Sequence, residues 1–302
     1  MTDAVLVTSG LTKFYGRRRG LDGLDLEVRP GEVYGFLGPN GAGKTTTIRL
    51  LLDLIRPTSG SALVFGEDPR VGGARLRGRL GYLPGDFVVD GGQSAREFLR
   101  HLGYLRGGVP NESIEALADR FDLDLATRIG SLSKGNRQKV GLVQGFMHRP
   151  ELLILDEPTI GLDPIMQQRF VELVRETRAS GQTIFMSSHV LSEVQQCADR
   201  VGIVRDGRLV AEEAVEGLRS RAIRRVEIHF DEPISPEPFV DLPGVLDLET
   251  DGSTLRCRLA GRADALVKMV ARYRVESLVV EEPDLEELFF AYYGGGAPDD
   301  AA

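Results

Sequence analysis

The densest chemistry in the chain lies in Gly38-Pro39-Asn40-Gly41-Ala42-Gly43-Lys44-Thr45-Thr46. Gly38 through Thr45 satisfies the pattern GxxxxGK followed by Ser or Thr without a mismatch. Glycines at that spacing let the backbone curl until successive N–H groups point at phosphate oxygens, and a helix opening behind them adds its positive end. Lys44 supplies a mobile cation for the outer phosphates, and the Thr45 hydroxyl is an oxygen ligand for Mg²⁺. A second constellation, Asp156–Glu157, comes after the apolar run Leu152–Leu155. A carboxylate ending a buried strand holds the shell of a divalent cation, the role expected of Asp156. A second carboxylate beside it polarises an attacking water, the role expected of Glu157. The pair of motifs implies a site for ATP and Mg²⁺.

These groups act together only if strands and helices deliver them to one place. Val33–Leu37 reads as a strand running into the glycine-rich loop, after a strand at Leu24–Val28 and the turn Arg29-Pro30-Gly31. Lys44–Leu54 reads as the helix behind the loop, ended by Arg56-Pro57-Thr58-Ser59-Gly60. Ser94–Leu105 and Asn111–Phe121 carry apolar residues at helical spacing, each with a Ser or Asn as N-cap. Leu152–Leu155 and Thr183–Ser187 read as strands flanking a helix over Pro164–Ala179, whose proline suits a first turn. Val201–Arg205 and Arg208–Val210 form a hairpin about Asp206-Gly207. Alternation of this kind predicts an α/β fold with a largely parallel sheet.

The segment Leu132-Ser133-Lys134-Gly135-Asn136-Arg137-Gln138, upstream of Asp156, discriminates among nucleotide-hydrolysing families. Chemically, a helix beginning near Asn136 offers free amides and a positive end to an anion. With this segment the chain resembles ABC-type ATPases over about residues 4–215. The resemblance implies a P-loop NTPase core with an antiparallel β subdomain and a helical subdomain at about residues 86–150. It also implies a homodimer, or a heterodimer of which this chain is one half, in which Ser133 and the backbone N–H of Gly135 bind the γ-phosphate of ATP held by a second nucleotide-binding subunit. Asp163, in Gly161-Leu162-Asp163, matches the loop touching the opposite subunit's site. His189 matches the histidine that contacts the γ-phosphate, and Tyr15 the aromatic that stacks on adenine. Either Phe14 or Tyr15 can instead be read as core, and Tyr15 is the favoured stacking residue. In one respect the chain departs from the pattern. Where the family usually carries Gln after Gly81-Tyr82-Leu83-Pro84, Gly85 stands here, leaving Asp86, water or the partner subunit to substitute, or the loop only to sense the membrane subunit.

Tyr34-Gly35-Phe36-Leu37-Gly38, the variant signature and the ending Asp284–Gly294 resemble bacterial drug- and antibiotic-export ATPases. The resemblance implies a separate integral-membrane permease as partner, export of a drug, antibiotic or lipid-like molecule as the task, and a place on the cytoplasmic face of the membrane. After Val215 a smaller α+β domain is expected, spanning residues 216–294. It has a connecting helix at Glu216–Arg225, strands at Val226–Phe230, Val245–Leu248 and Thr254–Leu259, and helices at Ala263–Tyr273 and Asp284–Tyr293. Residues 295–302, rich in Gly, Pro and Asp, are expected to be disordered.

Bulk properties narrow the alternatives. The 302 residues carry a net charge of −8, which argues against nucleic acid as a partner. No run approaches the roughly 18–20 apolar residues that cross a bilayer. The opening residues lack the basic and apolar regions of a signal peptide. Cys197 and Cys257 fit no metal spacing and read as buried thiols. His101, His148 and His229 read as structural, and Arg224 and Arg225 as a solvated face. A soluble ABC ATPase of translation or DNA repair is the alternative, disfavoured by a single cassette without long insertions. A P-loop kinase would leave Leu132–Gln138 without a role.

Overall fold

The computed structural model describes residues 4–89, 91–217 and 223–281. They form two compact units divided between Glu213 and Ala214.

In the first unit, β1 (Leu6–Tyr15), β2 (Arg18–Val28) and β4 (Ser59–Val64) make a three-stranded antiparallel sheet with β1 in the middle. A six-stranded sheet runs in the order β5 (Leu80–Leu83), β6 (Leu152–Asp156), β7 (Thr183–Ser188), β3 (Val33–Leu37), β8 (Arg200–Arg205), β9 (Arg208–Ala214). From β5 to β8 its pairings are parallel. Every residue of β3, β6 and β7 is buried, as for strands covered on both faces. Strand register sets where the site forms: Leu37 lies opposite Ser188, and Asp156 opposite Ser187. Thus β3, β6 and β7 end level, and the residues after each of them leave at the same sheet edge, where parallel sheets bind their ligands.

The helices of this unit are α1 (Lys44–Leu51), α2 (Pro69–Gly78), α3 (Ala95–Leu105), α4 (Asn111–Arg120), α5 (Lys134–Phe146), α6 (Pro164–Ala179) and α7 (Leu191–Gln195). From Gln138 to Phe146 every residue of α5 is buried, and α3, α4 and β5 pack against it. Glycines allow that approach: a Cβ at Gly81 would stand 2.4 Å from the Gly145 carbonyl oxygen. In the hairpin β8–β9, Asp206 and Gly207 both have positive φ (50° and 78°), the primed turn that a two-residue Asp-Gly connection adopts.

Several expectations are corrected. The helix after the glycine-rich loop stops at Leu51 rather than Leu54, because Asp53 turns to φ 57°. Asn111 does not cap α4: Pro110 holds that position without a side-chain bond, and Asn111 is the first helical residue. Ser94 does cap α3, within a reciprocal box with Glu97. The signature helix begins at Lys134, not near Asn136, because Ser133 is its N-cap. Leu24–Val28 is the end of the longer β2 and belongs to the antiparallel sheet.

The second unit contains β10 (Arg224–Phe230), α8 (Glu237–Val240), β11 (Val245–Asp251), β12 (Thr254–Leu259), α9 (Asp264–Val270) and β13 (Val275–Glu281). Its antiparallel sheet has the order β11-β12-β10-β13. Val226, Ile228, Leu255 and Leu259 form its core with Phe239 of α8 and Leu266 of α9. Arg224 and Arg225 open β10 instead of ending a helix, and Arg224 donates to the Gly261 carbonyl rather than facing solvent freely. Most of the expected connecting helix, the helix at Asp284–Tyr293 and residues 295–302 lie outside the described residues. No helix among those described is long and apolar enough to cross a membrane.

Candidate active site

Between β3 and α1 the chain makes the turn that the glycines were placed for. Gly41 and Gly43 adopt φ of 84° and 112°, and Ala42 N–H closes the turn onto the Pro39 carbonyl at 3.1 Å. At Gly43 a side chain is also excluded sterically, since a Cβ would lie 2.7 Å from the Gly20 carbonyl oxygen. Lys44, the first residue of α1, is buried and donates to the Gly38 carbonyl at 2.6 Å. Its Nζ also lies 3.1 Å from Glu157 Oε1, an ion pair across the sheet edge.

Asp156 ends β6 almost fully buried, and hydroxyls satisfy both of its oxygens. Thr45 donates to Oδ2 at 2.8 Å and Ser187 to Oδ1 at 2.6 Å. Glu157 has φ 49°, a left-handed conformation uncommon outside glycine. Its N–H donates to the Ser187 carbonyl (3.2 Å) and Oγ (3.1 Å), which hold the residue in that turn. The side chain is thereby swung to place Oε1 by Lys44 and Oε2 2.7 Å from His189 Nδ1. Beside Asp156, Gly85 presents no side chain, and a Cβ there would lie 3.4 Å from Oδ2. The next residue, Asp86, is exposed.

A cleft of about 510 Å³ opens over the loop. Pro39, Asn40, Gly41, Thr46 and Glu157 lie along it, with Lys44 and Thr45 at its floor. Tyr15, at the end of β1, stands at its other wall with 44% of its surface exposed, so its ring is available for stacking. Lys13 Nζ lies 5.3 Å from that ring's centroid.

Ser133, Gly135 and Asp163 are not in the cleft lining. They are brought near one another elsewhere. Ser133 Oγ accepts from Asn136 N–H at 3.2 Å, capping α5. A Cβ on Gly135 would sit 2.5 Å from the Gly161 carbonyl oxygen, so α5 and the loop before α6 touch through backbone alone. Asp163 caps α6, accepting from Ile165 N–H (3.1 Å) and Met166 N–H (3.0 Å). Gln138 links this surface to the carboxylates by donating to the Pro158 carbonyl at 3.0 Å.

Sequence reasoning missed Ser187, which bonds the Asp156 carboxylate and the Glu157 backbone N–H, and the cleft residues Arg18, Arg19 and Arg49. The run Arg17-Arg18-Arg19 beside Tyr15 was a visible signal for Arg18 and Arg19. Nothing local marked Ser187, whose role comes from the pairing of β6 with β7. Cys197 and Cys257 are buried free thiols, and burial pushes the Cys197 thiol up to about 12.

Comparison with known proteins places this geometry. A family profile described as ABC transporter matches residues 21–160. The chain is 34% identical to the bacitracin transport ATP-binding protein BcrA of Bacillus licheniformis, covering 97% of this chain and 98% of that protein. It is also 34% identical to the daunorubicin/doxorubicin resistance ATP-binding protein DrrA of Streptomyces peucetius, covering 97% and 93% respectively. A solved ATP-binding subunit of an ABC transporter aligns with a TM-score of 0.66 at 30% identity, over 71% of this chain and 92% of the other.

Proposed function

Because this chain belongs to the family of ABC transporter ATP-binding subunits, we propose that it drives outward movement of a drug- or antibiotic-like molecule through a separate membrane permease. The family's chemistry, hydrolysis of ATP, is this chain's chemistry. The observation that carries the reading is the meeting of Lys44, Glu157 and His189 at one sheet edge, above the Thr45–Asp156 contact.

In this reading the triphosphate lies along residues 38–46, from Gly38 through Thr46, and the adenine stacks on Tyr15. Lys44 turns from Glu157 to the outer phosphates, which frees Oε1. That oxygen accepts a proton from water as the water oxygen attacks the γ-phosphorus and the bond to ADP breaks. His189, bonded to Oε2, keeps the carboxylate aimed. The Thr45 hydroxyl and Asp156 carboxylate form an all-oxygen donor pair that suits Mg²⁺, which when bound would neutralise charge on the phosphates.

A second copy of the chain completes the site. Ser133 and Gly135 lie outside their own cleft at the positive end of α5, suited to a γ-phosphate on a neighbour, with Asp163 alongside. Closing two chains on two ATPs and reopening them after hydrolysis would move a permease docked on the helical segment around Gly85–Arg149. The unit beyond Ala214 serves as a packing or dimer-stabilising module.

Replacing the base tests the assignment. The Glu157→Gln protein is expected to bind ATP and dimerise with it while hydrolysis stops. Rapid turnover by that variant would refute Glu157 as base.

A further inference from the structure

The cleft over the phosphate loop has an unequal distribution of charge. Its only lining carboxylate among the described residues is Glu157, which lies 3.1 Å from Lys44, so the two charges oppose each other. A nucleoside triphosphate brings several negative charges into this space, and besides the loop N–H groups and the start of α1 the phosphate loop offers it one cationic side chain, Lys44. Three guanidinium groups line the rest. Arg18 and Arg19 open β2, and Arg49 stands on α1 one turn beyond Thr45. Arg19 is committed, donating to Asp22 at 2.9 Å, and Asp22 also takes Arg208 at 2.8 Å. Arg18 and Arg49 have no carboxylate partner among the described residues.

Their positions bracket a bound nucleotide. Arg18 is the direct cross-strand partner of Tyr15 across the β1–β2 turn, so the two side chains leave the same face of the hairpin. A base on Tyr15 would therefore have Arg18 on its own face of the hairpin, and both residues line the cleft that runs to the phosphate loop. Arg49 approaches from the helix that carries Lys44 and Thr45. Guanidinium forks match phosphate oxygens in pairs, which an ammonium cannot do.

We propose that Arg18 and Arg49 are nucleotide-binding residues that recognise the polyphosphate of ATP and set the preference of the cleft for charged nucleotides over the nucleoside. The inference rests on the proposed ATP site. It is tested in the full chain by calorimetric titration of ATP, ADP and adenosine into Arg18→Gln, Arg49→Gln and the double variant, at two salt concentrations. Each single change is expected to weaken ATP on the order of tenfold, the scale of one charge-assisted hydrogen bond, with adenosine unaffected. The double variant should also lose much of the salt dependence of ATP binding. Arg18→Lys should recover only part of the affinity. ATP affinity within twofold of native in the double variant overturns the proposal. So does an equal loss for ATP and adenosine, the mark of a damaged Tyr15 wall. Lys44→Ala separates this from the underlying reading: if it binds ATP as the native chain does, the ATP site itself is misplaced.

Discussion

A carboxylate that accepts a proton from water works best when its orientation is fixed before the reaction. Glu157 meets that requirement through contacts at both ends. Its backbone is held in a left-handed turn by Ser187, and its oxygens are flanked by Lys44 and His189. Lys44, Thr45, Asp156 and Glu157 were legible because loop and strand-end motifs are local in sequence. His189 became legible only by resemblance, and Ser187 not at all, since its contact with Asp156 spans two strands. If His189 aims the carboxylate, His189→Ala should lower kcat on the order of a hundredfold, the range of one positioned proton-transfer group. Binding of ATP should change little. Steady-state hydrolysis set beside calorimetric affinity checks this, and an affinity loss matching the rate loss would assign His189 to binding instead.

Among the elements, α3, α5 and β5 are joined at one knot. Arg106, the C-cap of α3, donates to the Leu80 carbonyl at 2.6 Å and lies 2.7 Å from His148 Nε2, just beyond α5. Burial first, and then the Arg106 charge, lower the His148 imidazole from 6.5 to about 4. The folded chain thus keeps His148 neutral where the unfolded chain protonates it. Between pH 6.5 and 4 the unfolded state binds the additional proton, so stability contributed here is present above 6.5 and falls as pH drops through that window. His148→Gln keeps an acceptor for Arg106 and removes the titration. Its thermal midpoint should therefore decline less than the native one from pH 6.5 to 4; parallel declines would remove His148 from the account. The periodicity of Ser94–Leu105 predicted α3 well, including its cap, because a capping box is a local pattern. It gave no sign of this knot, which depends on Arg106, Leu80 and His148 converging from distant sequence positions.

For the molecule as a whole, the telling fact is that Ser133 has a duty within its own chain. It caps α5, so loss of activity in Ser133→Ala would mix helix damage with loss of a phosphate contact. Ser133→Asp separates them, because aspartate caps as well as serine but repels a phosphate. In a Glu157→Gln background it should preserve the thermal midpoint and abolish ATP-dependent dimerisation in analytical ultracentrifugation. A dimer that persists would end the two-chain description of the site. By itself the sequence determined that a phosphate-binding loop, a strand-end carboxylate pair and a signature helix exist, since each is written in contiguous residues with its own turn or cap chemistry. Only the tertiary structure decided how they meet. The level ends of β3, β6 and β7 bring Lys44, Glu157 and His189 to one edge, and the β1–β2 hairpin sets Arg18 beside Tyr15. Register between strands far apart in the chain is fixed by packing of both sheet faces, and no local pattern encodes it.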